Sequence, residues 1–522
     1  MNGRSTIMWK KEIIMSKFKK SVACIVTNFK KKWVHILGVW FTIAMSYLYF
    51  DGNISVAPKW ILGFAGMVFT VLMLLKGKFH NIVGLMIVLS GCVFVFCTPI
   101  MDAPDETAHY ARSLYISQGQ VYLPENTQDA KISKDFIDVE ENFKQPLNKT
   151  NLLSKPMSTE VYENTKLYAT NASSFVPYLP QVTGITIARL FNQSVGVSIL
   201  LGRFFNLLCY ACLIWLAIKK AGELGVLFAI LGLMPMSIYL AASFSTDAMA
   251  NGLTFLVISL VCHFTQKSRV SVKDLIIFFV LCAILITIKL PYVLLIGLLL
   301  FIPIKQFEKK YMYFLGIVLI ILAAILTVFW LKQSSHINST VVTLDANPVE
   351  KIRYTLAHFN HFSREFYKEL VNIIPNRIPS LFTFGWLTYG ADKLSWFYLM
   401  FISCIVFMFP YTTKLPKLTR FGAVLVALGI TGAILMTSYL MWSSVETIRF
   451  DGIQGRYLIG VILLGGVALN CSSLFLDTNI EIAECKIQKR NEFILYIALL
   501  FVLIAITLTI LEYYGVRVQF VH

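Results

Sequence analysis

The chain of 522 residues is 57% hydrophobic and only 14% charged, whereas a soluble chain of this length carries roughly a quarter charged residues. Apolar runs of about 17 to 20 residues recur along its whole length, each enough to cross a hydrocarbon core of about 30 Å. A soluble fold is therefore excluded, and the short alternating segments of a closed barrel are absent.

Residues 1–32 hold nine Lys or Arg and a single acid, Glu12. No cleavable signal fits, because the short apolar stretch "SVACIVTN" is followed at once by Lys30 to Lys32. This segment reads as a basic cytoplasmic anchor facing anionic lipid. The formal net charge of +17 would otherwise suggest nucleic acid. Its concentration in short loops and at the N-terminus argues against such a partner.

Spans are expected over roughly 33–50, 59–75, 82–100, 196–218, 223–243, 246–266, 272–289, 291–305, 312–331, 394–410, 421–441, 456–475 and 492–512. With the N-terminus inside, "KGKFHN", "IKKAGE", "QKSRVSVK", "KQFEKK", "TTKLPKLTR" and "CKIQKRN" all fall on the cytoplasmic side. That makes thirteen crossings and an external C-terminus. The segment "SSFVPYLPQVTGITIARLF" at 173–191 is read as a helix along the outer interface, since counting it as a span would invert every later basic loop. Two long polar stretches then face outward. Residues 101–172 hold eleven acids against seven bases, and residues 332–393 carry spaced aromatics and charges that predict amphipathic surface helices. Most of the ten cysteines lie inside apolar spans, "CYAC" at 209–212 included, and read as small buried hydrophobes.

The first long outer loop opens with "MDAPDETAHYARSLYISQGQ". Proline followed by two acids is an ordinary helix start, with Pro104 at the first helical position and Asp105 and Glu106 at the positive end of the helix dipole. Such a helix also sets Asp105 and Glu106 on one face with His109. A carboxylate there could act as a general base, and Asp105, Glu106 and His109 could hold a divalent cation such as Mg or Mn.

The same topology gathers other polar groups at the outer ends of spans. "ASFSTDAMANG" puts Ser245, Thr246 and Asp247 in an outward hairpin, and "ITIKLPY" puts Lys289 at a break enforced by Pro291. "GIQGRYLIG" puts Arg456 and Tyr457 at the mouth of another span. A positive charge near hydrocarbon is costly unless it is partnered or functional. Snorkelling explains Lys289 and Arg456 equally simply, and helix capping explains Asp247. Arg203 lies a turn or two inside its span and is expected to pair with an outer-loop acid such as Asp105 or Asp247. Acids and bases meeting on one side suit a lipid-phosphate donor. Its tail would stay in the bilayer while Arg456 and Lys289 hold the phosphate and a first-loop carboxylate takes a proton from an acceptor hydroxyl.

"APDETAHYARSLYISQGQVYLP", "SFVPYLPQ", "LGRFFNLL", "MPMSIYLAASFSTDAMANG", "IKLPY" and "GIQGRYLIG" follow in order the pattern of a bacterial polytopic family. The chain resembles that family, long catalogued as a domain of unknown function and grouped with the GT-C glycosyltransferases, over about residues 80 to 475. The resemblance implies an all-α integral membrane fold, a GT-C-like bundle of about 13 transmembrane helices with interfacial helices in the outer loops. It divides the chain into a basic N-terminus (1–32), two additional helices (33–80), the core (81–475, with outer loops 101–195 and 332–393), and a cytoplasmic loop with the last helix (476–522). It also implies transfer of a sugar from a polyprenyl-phosphate donor to a glycan or glycolipid acceptor, on the extracytoplasmic face of the plasma membrane. Asp105 then looks like the catalytic base, supported by Glu106, with His109, Arg203, Asp247, Lys289, Arg456 and Tyr457 as substrate-binding positions. A transporter or flippase of lipid-linked saccharide is the alternative. Such proteins show inverted repeats and charges near the bilayer midplane, whereas no repeat is visible here. A non-catalytic assembly subunit is a third reading.

Overall fold

The computed structural model describes residues 29–49, 54–56, 58–163, 167, 170, 173–267, 269–335, 348–408, 415–469 and 484–517. Most of the basic N-terminus and residues 470–483 of the expected last cytoplasmic loop lie outside the described residues.

The architecture is all-α. The first helices are α1 (29–49), α2 (Lys59–Leu74), α3 (Phe79–Cys97), α4 (Glu106–Ser117) and α5 (Asp135–Glu141). They continue with α6 (Leu179–Leu190), α7 (Val195–Ala221), α8 (Gly225–Gly232), α9 (Pro235–Ala241), α10 (Asp247–Gln266) and α11 (Val272–Ile286). A 3-10 segment (Leu290–Phe301) leads to α12 (Tyr311–Ser335), α13 (Pro348–Ala357), α14 (Phe359–Arg377), α15 (Asp392–Met408), α16 (Lys417–Trp442), α17 (Ile459–Leu469) and α18 (Glu484–Tyr514). Among the described residues, six segments are long and apolar enough to cross a membrane: Phe79–Cys97, Val195–Gly232, Asp247–Gln266, Tyr311–Ser335, Lys417–Trp442 and Ile487–Tyr514.

Among the described residues, six of the thirteen expected crossings meet that length and composition. The span expected over 223–243 is broken, because Pro235 starts a new helix after the Leu233–Met234 turn. The span expected over 291–305 is a 3-10 segment, Leu290–Phe301, with Pro291 in its first turn. At 1.5 Å per residue, the 16 residues of α2 reach about 24 Å, short of a typical core of about 30 Å. Likewise α6, the helix expected to lie along the interface, has 12 residues and reaches about 18 Å. It packs closely across α7, where a Cβ added at Gly184 would lie 2.4 Å from the Leu201 carbonyl. Small residues at such crossings let two backbones approach.

Lys32 pairs with Glu492 at 3.2 Å, Lys267 with Asp274 at 2.7 Å, and Arg420 donates to the Ala468 carbonyl at 2.8 Å. Ile54–Val56 pairs antiparallel with Val516–Arg517, and Lys149 reaches the Tyr513 carbonyl at 3.3 Å.

The first polar loop has a core of its own. Tyr110 and Leu114 of α4 pack with Phe136 and Val139 of α5, Ile185 of α6 and Phe244. A short antiparallel hairpin joins Lys131–Ser133 to Val161–Glu163, with Ile132 opposite Tyr162. In the second polar stretch, α13 and α14 are the surface helices that the aromatic spacing predicts.

Candidate functional site

The turn that leaves α3 is pinched by two non-glycine residues in the left-handed region, Met101 at φ 54° and Asp105 at φ 62°. Aspartate tolerates this conformation better than most residues, at a cost of roughly 1–2 kcal/mol. Asp105 is the N-cap residue of α4, yet its side chain makes no capping bond. The helix accordingly begins at Glu106, and Pro104 lies outside it rather than at its first position.

The left-handed twist sends successive carboxylates in different directions. Asp105 accepts from Arg456 Nη2 at 2.9 Å. Glu106 is fully buried and turns inward, where Arg203 grips it in a fork: Nε to Oε1 and Nη2 to Oε2, both at 2.9 Å. The backbone N–H of Phe244 adds a bond to Oε1 at 3.1 Å and that of Ala103 one to Oε2 at 3.2 Å. A carboxylate has about four acceptor positions, and Glu106 uses them all within the protein. Arg203 spends two of its remaining three donors on the Thr98 and Pro99 carbonyls, at 2.8 and 2.6 Å. Its partner is thus Glu106, not the expected Asp105 or Asp247. Arg203 sits two turns into α7, within reach of the first residue of α4 and not of the N-cap.

Asp247, the first residue of α10, bridges two cations. Lys289 Nζ lies 2.6 Å from its Oδ1, and Arg456 Nε 3.5 Å from its Oδ2. Tyr457 closes the cluster. Its ring centroid lies 4.3 Å from Lys289 Nζ and 5.2 Å from Arg456 Cζ, and its hydroxyl accepts from Arg456 Nη2 at 3.3 Å. The Tyr457 carbonyl is held in turn by the Tyr292 hydroxyl at 2.8 Å. His109 stands beside the cluster with Nδ1 3.0 Å from the Tyr178 hydroxyl. Burial holds its pKa below the ordinary imidazole value, against the opposing pull of Asp105 and Asp247.

Asp105, His109, Asp247, Lys289, Arg456 and Tyr457 thus come together from four distant parts of the chain, while Glu106 and Arg203 form a separate buried pair behind them. The cluster is graded in exposure. The Arg456 side chain is 3% exposed and that of Asp105 is 43% exposed. Arg456 Nε and, one turn into α10, Asn251 Nδ2 are buried without a hydrogen-bond partner among the described residues. Buried donors left in this way are uncommon in native proteins. The cation set of Asp105, Glu106 and His109 is not assembled, because Glu106 has no free lone pair and His109 Nδ1 faces Tyr178. Among the described residues no three His, Cys, Asp or Glu converge to hold a metal ion.

The sequence reading missed Asp102. This carboxylate is fully buried and accepts from three tyrosines: Tyr513 to Oδ1 at 2.5 Å, and Tyr239 and Tyr389 to Oδ2 at 2.8 and 3.2 Å. Burial pushes its pKa up, and the tyrosine hydroxyls oppose that shift. It ties α18, α9 and the Thr383–Phe384/Tyr389–Gly390 hairpin to the turn that carries Asp105. Nothing local marks it, since its partners lie between 137 and 411 residues away.

No curated protein and no protein of solved structure matches the chain. A family model matches residues 85–464, a stretch that contains every member of the cluster. On that match, the chain belongs to the family described as "Predicted membrane protein (DUF2142)".

Proposed function

We propose that this membrane protein is a glycosyltransferase that moves a sugar from a polyprenyl-phosphate donor to a cell-envelope polymer or glycolipid. The reading places the cluster on the extracytoplasmic face of the plasma membrane, with the N-terminus in the cytoplasm. The observation that carries it is the Asp105–Arg456–Asp247–Lys289 chain of alternating charges at one end of an apolar bundle. Two cations backed by one buried carboxylate suit a phosphodiester, and Arg456 Nε, which meets Asp247 as an ion pair at 3.5 Å, makes no hydrogen bond of its own.

In this mechanism the acceptor hydroxyl oxygen attacks the anomeric carbon of the donor sugar. The bond from that carbon to the phosphate oxygen breaks, and its electron pair leaves with the lipid phosphate. Arg456 and Lys289 stabilise that charge. The hydroxyl proton passes to Asp105, the acid of the cluster that reaches the surface. Glu106 is a positioning residue in this scheme, because Arg203 and the backbone use all of its oxygens. The grouping of the chain with GT-C enzymes supports the reading by resemblance alone.

The test compares envelope glycans by mass in cells carrying the native protein or Asp105→Asn at matched expression. Loss of one sugar mass is the expected result. Unchanged glycans with the protein present would remove the transferase reading and favour transport of the lipid-linked saccharide.

A further inference from the structure

A polar groove lies between α14 and the segment that runs into Arg456. It encloses about 280 Å³, near the lower end of the roughly 300–1,000 Å³ found for small-molecule sites. Its lining carries three acids, Glu365, Glu369 and Asp451, and three bases, Lys368, Arg377 and Arg449. Glu365 pairs with Lys368 at 2.8 Å, and Glu369 pairs with Arg377. Arg449 and Asp451 form no ion pair among the described residues, and Arg377 Nε is buried without a hydrogen-bond partner.

The groove touches the cluster through one glycine. A Cβ on Gly455 would lie 2.4 Å from the Arg377 carbonyl, so only glycine fits, and the Gly455 N–H donates to Ser380 Oγ at 2.7 Å. Arg377 Nη2 also donates to the Phe450 carbonyl at 3.1 Å. The end of α14 is thereby fixed against the residue that precedes Arg456.

We infer that this groove is the acceptor subsite and takes an uncharged saccharide. The lining sums to zero charge, so an anionic ligand would meet three carboxylates and a cationic one three bases. A polyol presents neighbouring hydroxyls that both donate and accept. Carboxylates accept from them, Arg and Lys donate to them, and Asn372 on the same wall does both. Arg449 and Asp451 give the sugar first contacts that break no ion pair, although Asp451 also acts on the Lys351 charge at longer range. The assignment of this saccharide as acceptor rests on the transferase reading; its binding does not.

The experiment uses the full-length protein in living cells with Asn372 replaced by photoreactive p-benzoylphenylalanine. After irradiation, the adduct on the purified chain is read by mass. A saccharide adduct is expected, and the pair Arg449→Gln with Asp451→Asn should lower its yield about tenfold or more through loss of charged hydrogen bonds. A phospholipid adduct, no adduct on abundant folded protein, or a saccharide yield indifferent to the paired substitution would each overturn the assignment. Adding Asp105→Asn separates the two readings. A saccharide adduct that persists while envelope glycans stay unchanged would leave the groove standing and remove the transferase function.

Discussion

Arg456 stands 351 residues from Asp105 in the chain and 2.9 Å from it in space. The pair is asymmetric, with a nearly buried guanidinium and a half-exposed carboxylate. Such a pair holds the cation in place and leaves the acid able to meet an incoming group. An arriving phosphodiester would compete with Asp105 for Arg456 and free the carboxylate as it binds.

Arg456 spans Asp105 and Asp247 with different nitrogens, a fork that lysine cannot reproduce. Arg456→Lys should keep the protein folded and lower sugar transfer by about 10²–10³, the usual loss for one preorganised charge stabiliser. Glycan mass profiles at matched expression measure this. Native-level transfer by Arg456→Lys would rule out a bidentate role.

Breaking a buried pair costs more than the pair contributes, because one charge is left without compensation. Glu106→Gln should therefore destabilise the fold by about 3–5 kcal/mol. Combining it with Arg203→Met should recover part of that loss. Thermal unfolding in detergent reads both variants. A Glu106→Gln protein as stable as the native one but inactive would instead place Glu106 in the chemistry.

Asp102→Ala removes the common acceptor of Tyr239, Tyr389 and Tyr513. Tyr239 is left as a stranded buried donor, at about 1–3 kcal/mol, whereas Tyr389 keeps Thr509 at 3.1 Å and Tyr513 is only part-buried, so a loss of about 1–3 kcal/mol is expected. Phenylalanine at the three tyrosine positions in the Asp102→Ala background should restore part of it. A stable Asp102→Ala protein would show that the turn carrying Asp105 is held by other contacts.

His109 provides the pH prediction. Its folded pKa is depressed by burial, so the unfolded chain takes up the proton first, near pH 6.5. Its stability contribution is therefore complete above about pH 6.5 and is lost as pH falls toward the folded value. His109→Gln should flatten the decline in unfolding temperature over that acid window while leaving the neutral value nearly unchanged. Identical slopes for native and variant would mean that His109 does not sense this range.

Part of the site was legible from the residue order. Lys289 beside Pro291, Arg456 after a glycine turn and Asp247 at a hairpin all announce span ends, because charge and helix breakers are costly in hydrocarbon unless the protein partners them. The alternation of basic loops gave the expected side of each. Those features are local, and composition carries them.

The sequence by itself determined that this is an all-α membrane chain, and where its apolar stretches and polar loops lie. Only the tertiary structure decided which acid meets which base. The left-handed turn at Asp105 points it to Arg456 and leaves Glu106 to Arg203, a choice made by backbone geometry that residue order does not display. The same holds for Asp102, whose three hydroxyl partners arrive from separate elements, and for the breaks at Pro235 and Pro291. Hydrophobic content says that a segment leaves water. Direction, register and pairing depend on packing between segments hundreds of residues apart.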